Sequence, residues 1–190
     1  MHIFYRCYIV KNVYKPAKKR GIREMEKVKT FLADISDLLN EKNYQKIYEK
    51  VPAFRQEKAD RLKHREDQAQ SVGAWYLWMK IQERHKIPQD AGQSFNLSHS
   101  GKYVLCSAGV SGERVGCDIE CMRKYHARLA EKYFCSSEYE RIRNADEAER
   151  TEMFYRYWVL KESFLKATRK GLVMGLNTSE IQIPKQGDPF

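Results

Sequence analysis

The segment Val115-Gly116-Cys117-Asp118-Ile119-Glu120 constrains this 190-residue chain more than any other. Apolar and polar residues alternate along it, which is the period of a β-strand whose two faces meet different surroundings. Val115, Cys117 and Ile119 are expected to face a core, with Gly116, Asp118 and Glu120 on the opposite side. Two carboxylates about 7 Å apart on one face repel each other unless something positive lies between them. Hard oxygen ligands of this kind suit Mg2+, which takes one or two carboxylates together with substrate phosphates. Gly116 leaves room beside them. The same alternation also describes an ordinary solvated face, and the segment alone does not choose between the two.

The pattern around it is mixed. Val28, Phe31, Leu32 and Ile35 read as a strand turning into a helix, and Leu38 to Val51 as a helix broken by Pro52. A long helical stretch is expected from Phe54 to Gln82, then a loop from Lys86 to Ser94. Strand-like material follows at Phe95–Gly101, Tyr103–Val110 and Arg114–Glu120, the last two joined by Ser111-Gly112-Glu113 as a hairpin. Ser137 and Glu140 form a capping-box pattern. Glu152 to Arg169 reads as an amphipathic helix ended by Gly171. The tail from Leu172 reads as a short strand and a turn. The expected organisation is a basic N-terminal extension of uncertain role at 1–24, an N-terminal half at 25–94 and a C-terminal half at 95–190.

Composition narrows the chemistry. Lys and Arg number 35 against 25 Asp and Glu, a formal net charge of +10. Such a chain attracts acidic partners without choosing among them. The five cysteines are odd in number and form no CxxC pair, so a zinc site or disulfide framework is not expected. The longest apolar runs fall far below the roughly 18–20 residues of a membrane span. Near the N-terminus, Arg6 interrupts the apolar run and no small-residue cleavage site follows. A cytoplasmic protein without membrane contact is expected.

Other candidate residues carry alternatives of their own. Trp158, Glu162 and Lys166 are spaced i, i+4, i+8 along one helix side. Glu162 could add a third carboxylate; equally, Glu162–Lys166 is an ordinary helix ion pair and Trp158 a core anchor. His99, in Ser98-His99-Ser100-Gly101, could bind phosphate beside its neighbouring hydroxyls, or sit in a turn with no role. The GxSxG elbow of a hydrolase is absent. Arg55 and Lys58 share a helical face within a basic stretch running to Arg65, either a phosphate grip or a solvated face.

Taken together, four motifs in order identify a family. Phe95-Asn96-Leu97-Ser98-His99-Ser100, Val115–Glu120, Tyr133-Phe134-Cys135-Ser136-Ser137-Glu138 and Trp158-Val159-Leu160-Lys161-Glu162-Ser163-Phe164-Leu165-Lys166 resemble the 4'-phosphopantetheinyl transferase superfamily of the surfactin-synthetase activator (Sfp) type, over about residues 31–183. The resemblance implies an α+β fold of two pseudo-symmetric α/β halves with coenzyme A between them. It implies transfer of 4'-phosphopantetheine from coenzyme A to a serine of an acyl or peptidyl carrier protein, with Mg2+ as cofactor and 3',5'-ADP released. By the same resemblance Asp118, Glu120 and Glu162 hold Mg2+, and Glu162 also accepts the serine proton. Lys166 contacts a coenzyme A phosphate and helps the leaving group. Ser98 and His99 hold phosphate oxygens, Arg55 and Lys58 grip the 3'-phosphate region, and Ser71 lies near the adenine. A monomer is implied, as is an acidic carrier protein steered by the basic charge.

The sequence departs from the family in three places. No GKP segment lies between Ile81 and Phe95, Gln70 stands where an arginine is common, and the family's further strands past Ile183 are not matched, so the second half is expected to be short with an open sheet edge. Two alternatives follow. One is a weakly active or inactive member that binds coenzyme A or carrier protein only. The other is a basic nucleic-acid-binding module, for which no recognition-helix or RNP-type pattern is present.

Overall fold

In the computed structural model, which describes residues 5–11, 28–87, 95–109, 114–125, 127–169 and 175–183, the acidic strand forms as the alternation predicts. The elements run β1 (Tyr5–Lys11), β2 (Val28–Asp34), a 3-10 turn (Ser36–Leu39), α1 (Glu41–Tyr48), α2 (Ala53–Asp60), α3 (Arg65–His85), β3 (Phe95–Ser100), β4 (Tyr103–Gly109), β5 (Val115–Cys121), α4 (Ala127–Tyr133), α5 (Ser136–Arg143), α6 (Glu147–Thr168) and a 3-10 turn (Leu176–Thr178). This is the expected α+β class. No helix among the described residues is long and apolar enough to cross a membrane.

Two antiparallel sheets carry the site. One has the strand order β2-β4-β3; in the other, β1 pairs with β5 from Tyr5 opposite Cys121 to Lys11 opposite Val115. The hairpin expected between Tyr103–Val110 and Arg114–Glu120 is therefore not formed. β4 takes both its partners from its own sheet, and the ladder of β5 goes to β1, a segment to which the sequence pattern assigned no element. One edge of β5 is lined by β1, which satisfies a row of N–H and C=O groups that would otherwise be open to another strand.

Each sheet has its helical cover. Across β2-β4-β3 lies α3, where Ile35, Leu38, Ala69, Ala74 and Val104 are buried together and Trp78 stacks on Phe95 at 4.1 Å between ring centroids. Beside β5, helices α4, α5 and α6 enclose a second core of Ala130, Phe134, Ile142, Phe154, Tyr157 and Ile183. Leu105 of β4 packs with Cys117 and Ile119 of β5 and joins the two.

Several boundaries differ from the sequence reading for identifiable reasons. The long helix from Phe54 divides into α2 and α3, because the charged stretch from Lys58 to Arg65 gives it little apolar face to bury; Gln68 Nε2 donates to the Leu62 carbonyl at 2.9 Å and closes the joint. Pro52 stands at the N-cap of α2, where its missing N–H costs nothing. The helix start at 136 is held by Glu138, which accepts from Cys135 N at 2.8 Å, whereas Ser137 donates to Glu180 at 2.6 Å. α6 ends at Arg169, left-handed at φ 57°, two residues before Gly171. The described part of the tail holds a 3-10 turn and no strand. Tyr157, rather than Trp158, is the deep anchor of α6; Trp158 is half-buried, stacked on Phe154. Gln70 is buried and donates to the Gly101 carbonyl at 2.8 Å, holding the β3–β4 turn. The position searched for a GKP segment runs into 88–94, outside the described residues.

Candidate active site

The site is built where α6 lies on β5. The space left by Gly116 is taken by that helix: a Cβ there would collide with the Ser163 carbonyl oxygen and stand 2.6 Å from Ala167 N. Only glycine allows this approach, which brings Glu162 and Lys166, one turn apart, over the acidic face of β5. That face is covered rather than solvated, and Asp118 is only 3% exposed. Lys166 Nζ donates to Asp118 Oδ1 at 2.6 Å, to Ser98 Oγ at 3.2 Å and to the Cys117 carbonyl at 3.4 Å.

The carboxylates sit in a field short of positive charge. Burial pushes the Glu120 carboxyl above the usual range, and the charges of Asp118 and Glu162 push the same way; Ser100 and Lys166 oppose them. Burial also raises Glu162, aided by Asp118 and opposed by Lys166. Asp118 Oδ2 is buried with no hydrogen-bond partner. Among the described residues no three of His, Cys, Asp and Glu are grouped as a ready metal cluster, and Lys166 takes the other oxygen of Asp118. The donor set nevertheless consists of carboxylate oxygens with one buried oxygen unsatisfied, and that chemistry fits a hard divalent cation.

Next to the carboxylates is a cavity of about 550 Å3 lined by Arg55, Lys58, Ser71 and His99. Three polar atoms of its wall, Arg55 Nε, Ser71 Oγ and Trp75 Nε1, are buried without a partner. The Arg55 guanidinium lies over the Trp75 ring at 4.1 Å, and burial lowers its pKa. His99 is open to solvent yet ringed by protein, as befits a wall residue of a concavity; burial first, then the charges of Lys166 and Lys58, push its pKa below the ordinary histidine value. Cations and spare donors around a concave space suit a phosphorylated ligand. A shallower groove of about 610 Å3 lies elsewhere, on Lys50, Tyr76 and Lys80, with none of the predicted site residues.

Asp118, Glu120, Glu162 and Lys166 thus lie near enough to feel one another's charge, without the three carboxylates converging on one point, while Arg55, Lys58, Ser71 and His99 line one cavity. Ser98 and His99 part company: they occupy opposite faces of β3, Ser98 buried against Asp118 and His99 lining the cavity. Arg65 leaves the site altogether and pairs with Glu41, its guanidinium over Tyr44.

Other residues had no role in the sequence reading. Arg169, the left-handed residue that closes α6, also lines the cavity, and its place three residues beyond Lys166 was the available signal. Lys161 and Glu138, both in the quoted motifs, form a buried ion pair at 2.7 Å. Lys161 also donates to the carbonyls of Leu176 at 2.8 Å and Ser179 at 2.6 Å, while Glu138 accepts from Cys135 N and Ile181 N. The pair ties α5 and the segment 175–183 to α6 immediately beside Glu162.

Comparison with known proteins agrees with the motifs. The family model of the 4'-phosphopantetheinyl transferase superfamily matches residues 114–190. The chain is 34% identical over 101 residues to 4'-phosphopantetheinyl transferase Sfp of Bacillus subtilis (strain 168), covering 53% of this chain and 44% of that protein. A second 4'-phosphopantetheinyl transferase of Bacillus subtilis is 29% identical over 155 residues, 72% of this chain and 68% of that protein. The 4'-phosphopantetheinyl transferase HetI of Nostoc sp. (strain PCC 7120) is 36% identical over 96 residues, 50% of this chain and 39% of that protein. The chain thus spans less than half the length of the first and third of these. The carboxylate strand and the Trp158–Lys166 helix both lie inside the matched segment, so over residues 114–190 the chain is similar to the 4'-phosphopantetheinyl transferase superfamily.

Proposed function

We propose that this chain transfers 4'-phosphopantetheine from coenzyme A to a serine of an acyl or peptidyl carrier protein, dependent on Mg2+ and releasing 3',5'-ADP. The observation that carries the proposal is the adjoining of a carboxylate–lysine cluster and a cation-lined cavity across one strand, β3. Attack on a pyrophosphate asks for neutralised charge and in-line positioning more than for a covalent nucleophile.

In this reading the nucleotide end of coenzyme A occupies the cavity. Arg55 and Lys58 take its 3'-phosphate, His99 a phosphate oxygen, and Ser71 lies near the base. The unpartnered Arg55 Nε and Ser71 Oγ are donors such a ligand would satisfy. Lys166 moves from Asp118 to the pyrophosphate and stabilises the leaving 3',5'-ADP. Glu162, made more basic by burial and by Asp118, accepts the proton of the carrier serine as its oxygen bonds to phosphorus. Mg2+ held by Asp118, Glu120 and Glu162 would supply the positive charge that the pyrophosphate needs. The basic balance of the chain, +10, favours encounter with an acidic carrier protein. Release of 3',5'-ADP, followed with and without divalent metal and with and without apo carrier protein, tests the proposal. Release independent of the carrier would identify hydrolysis of coenzyme A instead.

A further inference from the structure

β3 and β5 run side by side yet share no backbone ladder, since each is paired within its own sheet. The join is made by alternate side chains of β3. Cys117 N donates to Asn96 Oδ1 at 3.0 Å, Ile119 N to Ser98 Oγ at 3.3 Å and Cys121 N to Ser100 Oγ at 3.0 Å. Each hydroxyl that accepts an N–H still has one proton to give. Ser98 gives it to Asp118 Oδ1 at 2.8 Å, and Ser100 gives it to Glu120 Oε2 at 3.2 Å. The relationship repeats: one serine holds the carboxylate of a β5 residue and the N–H of the residue after it.

We infer that Ser98 and Ser100 are positioning residues that aim Asp118 and Glu120 for a divalent cation. The inference rests on the reading of these carboxylates as metal ligands. A hydroxyl bound to one carboxylate oxygen sets the plane of the group and directs the other oxygen's lone pairs elsewhere. At Asp118 the consequence is visible, because Oδ1 carries Ser98 and Lys166 while Oδ2 is buried with nothing bound. Such outer partners of metal ligands fix orientation and tune affinity. The spacing Ser98-His99-Ser100 is then a strand-period device: the serines point to β5 while His99 points away into the cavity.

The test measures ion binding directly. Free Mn2+ is counted by electron paramagnetic resonance in titrations of the full chain, without coenzyme A, for wild type, Ser98→Ala, Ser100→Ala and Ser100→Thr, with a thermal melt of each. Ser98→Ala and Ser100→Ala are expected to weaken Mn2+ binding about 10-fold to 100-fold, and Ser100→Thr, which keeps the hydroxyl, to restore most of it. Unchanged Mn2+ affinity in both alanine variants, with only the melting temperature lowered, would reduce the serines to a seam between sheets and overturn the inference. If wild type itself bound no Mn2+, the metal reading would fall together with the inference. The mild variant Ser100→Ala, at a half-buried position, keeps the test usable if Ser98→Ala fails to fold.

Discussion

Lys166 Nζ and Asp118 Oδ1 stand 2.6 Å apart, joining the end of α6 to the middle of β5 with Asp118 almost fully enclosed. In the proposed reaction this ion pair opens so that both groups serve the pyrophosphate. Lys166→Met is expected to lower kcat about 100-fold to 1,000-fold, as for loss of one positioned transition-state donor. Asp118→Asn, which keeps the shape and the Ser98 contact, should lose transfer to a similar degree while the far-ultraviolet circular dichroism stays native. Full activity in Asp118→Asn would remove Asp118 from the mechanism.

Gly116→Ala tests the approach of α6. The added methyl meets backbone atoms of Ser163 and Ala167, which cannot step aside as a side-chain tip can. Overpacking of this kind typically costs about 1–3 kcal/mol. Displacement of α6 should also separate Lys166 from Asp118. Chemical denaturation and kcat should therefore fall together. A variant as stable and active as wild type would mean that α6 does not lie on β5 as described.

The Glu138–Lys161 pair predicts a different signature. Removing one partner leaves a buried charge, at a cost of about 3–5 kcal/mol. Lys161→Met should be severely destabilised in urea melts, and Glu138→Gln strongly so. The double variant should be less destabilised than the sum, by a coupling of about 1–3 kcal/mol. Strict additivity would show that the two side chains act independently.

His99 gives a pH prediction. Its folded pKa lies below the ordinary 6.5, so the unfolded chain takes up the proton more readily. The stability it supports is complete above pH 6.5 and is lost as pH falls from there through the folded value. The drop in melting temperature on going from pH 7 to pH 5 should be smaller in His99→Gln than in wild type. In NMR titrations the His99 midpoint should rise when 3',5'-ADP is added, because a phosphate favours the charged ring. A midpoint unmoved by the nucleotide would place the ligand elsewhere.

Much of the site was legible because its parts are local. Alternation over Val115–Glu120 was enough to separate a core face from a carboxylate face, and i, i+4 spacing put Glu162 and Lys166 together. What was not legible depends on partners distant in sequence. Nothing within Tyr5–Lys11 announces that it will pair with a strand 110 residues away, and the hairpin expected from the nearness of β4 and β5 gave way to that pairing. Glu138 and Lys161 stand in the quoted motifs without a role of their own, because their pairing depends on the segment 175–183 that closes over them. The capping box moved from Ser137 to Cys135 because Glu138, not Glu140, turns back to the helix start. The meaning of Ser100 appeared only when β5 was found beside β3.

The central claim is group transfer, and the mass of the acceptor tests it most directly. A purified apo carrier protein is incubated with this chain, coenzyme A and Mg2+, then weighed by intact-protein mass spectrometry. The account predicts a gain of about 340 Da, one phosphopantetheine, absent when metal is chelated and absent with Asp118→Asn. No gain on fatty-acid, polyketide or peptide carriers, with the chain folded and coenzyme A intact, would contradict it.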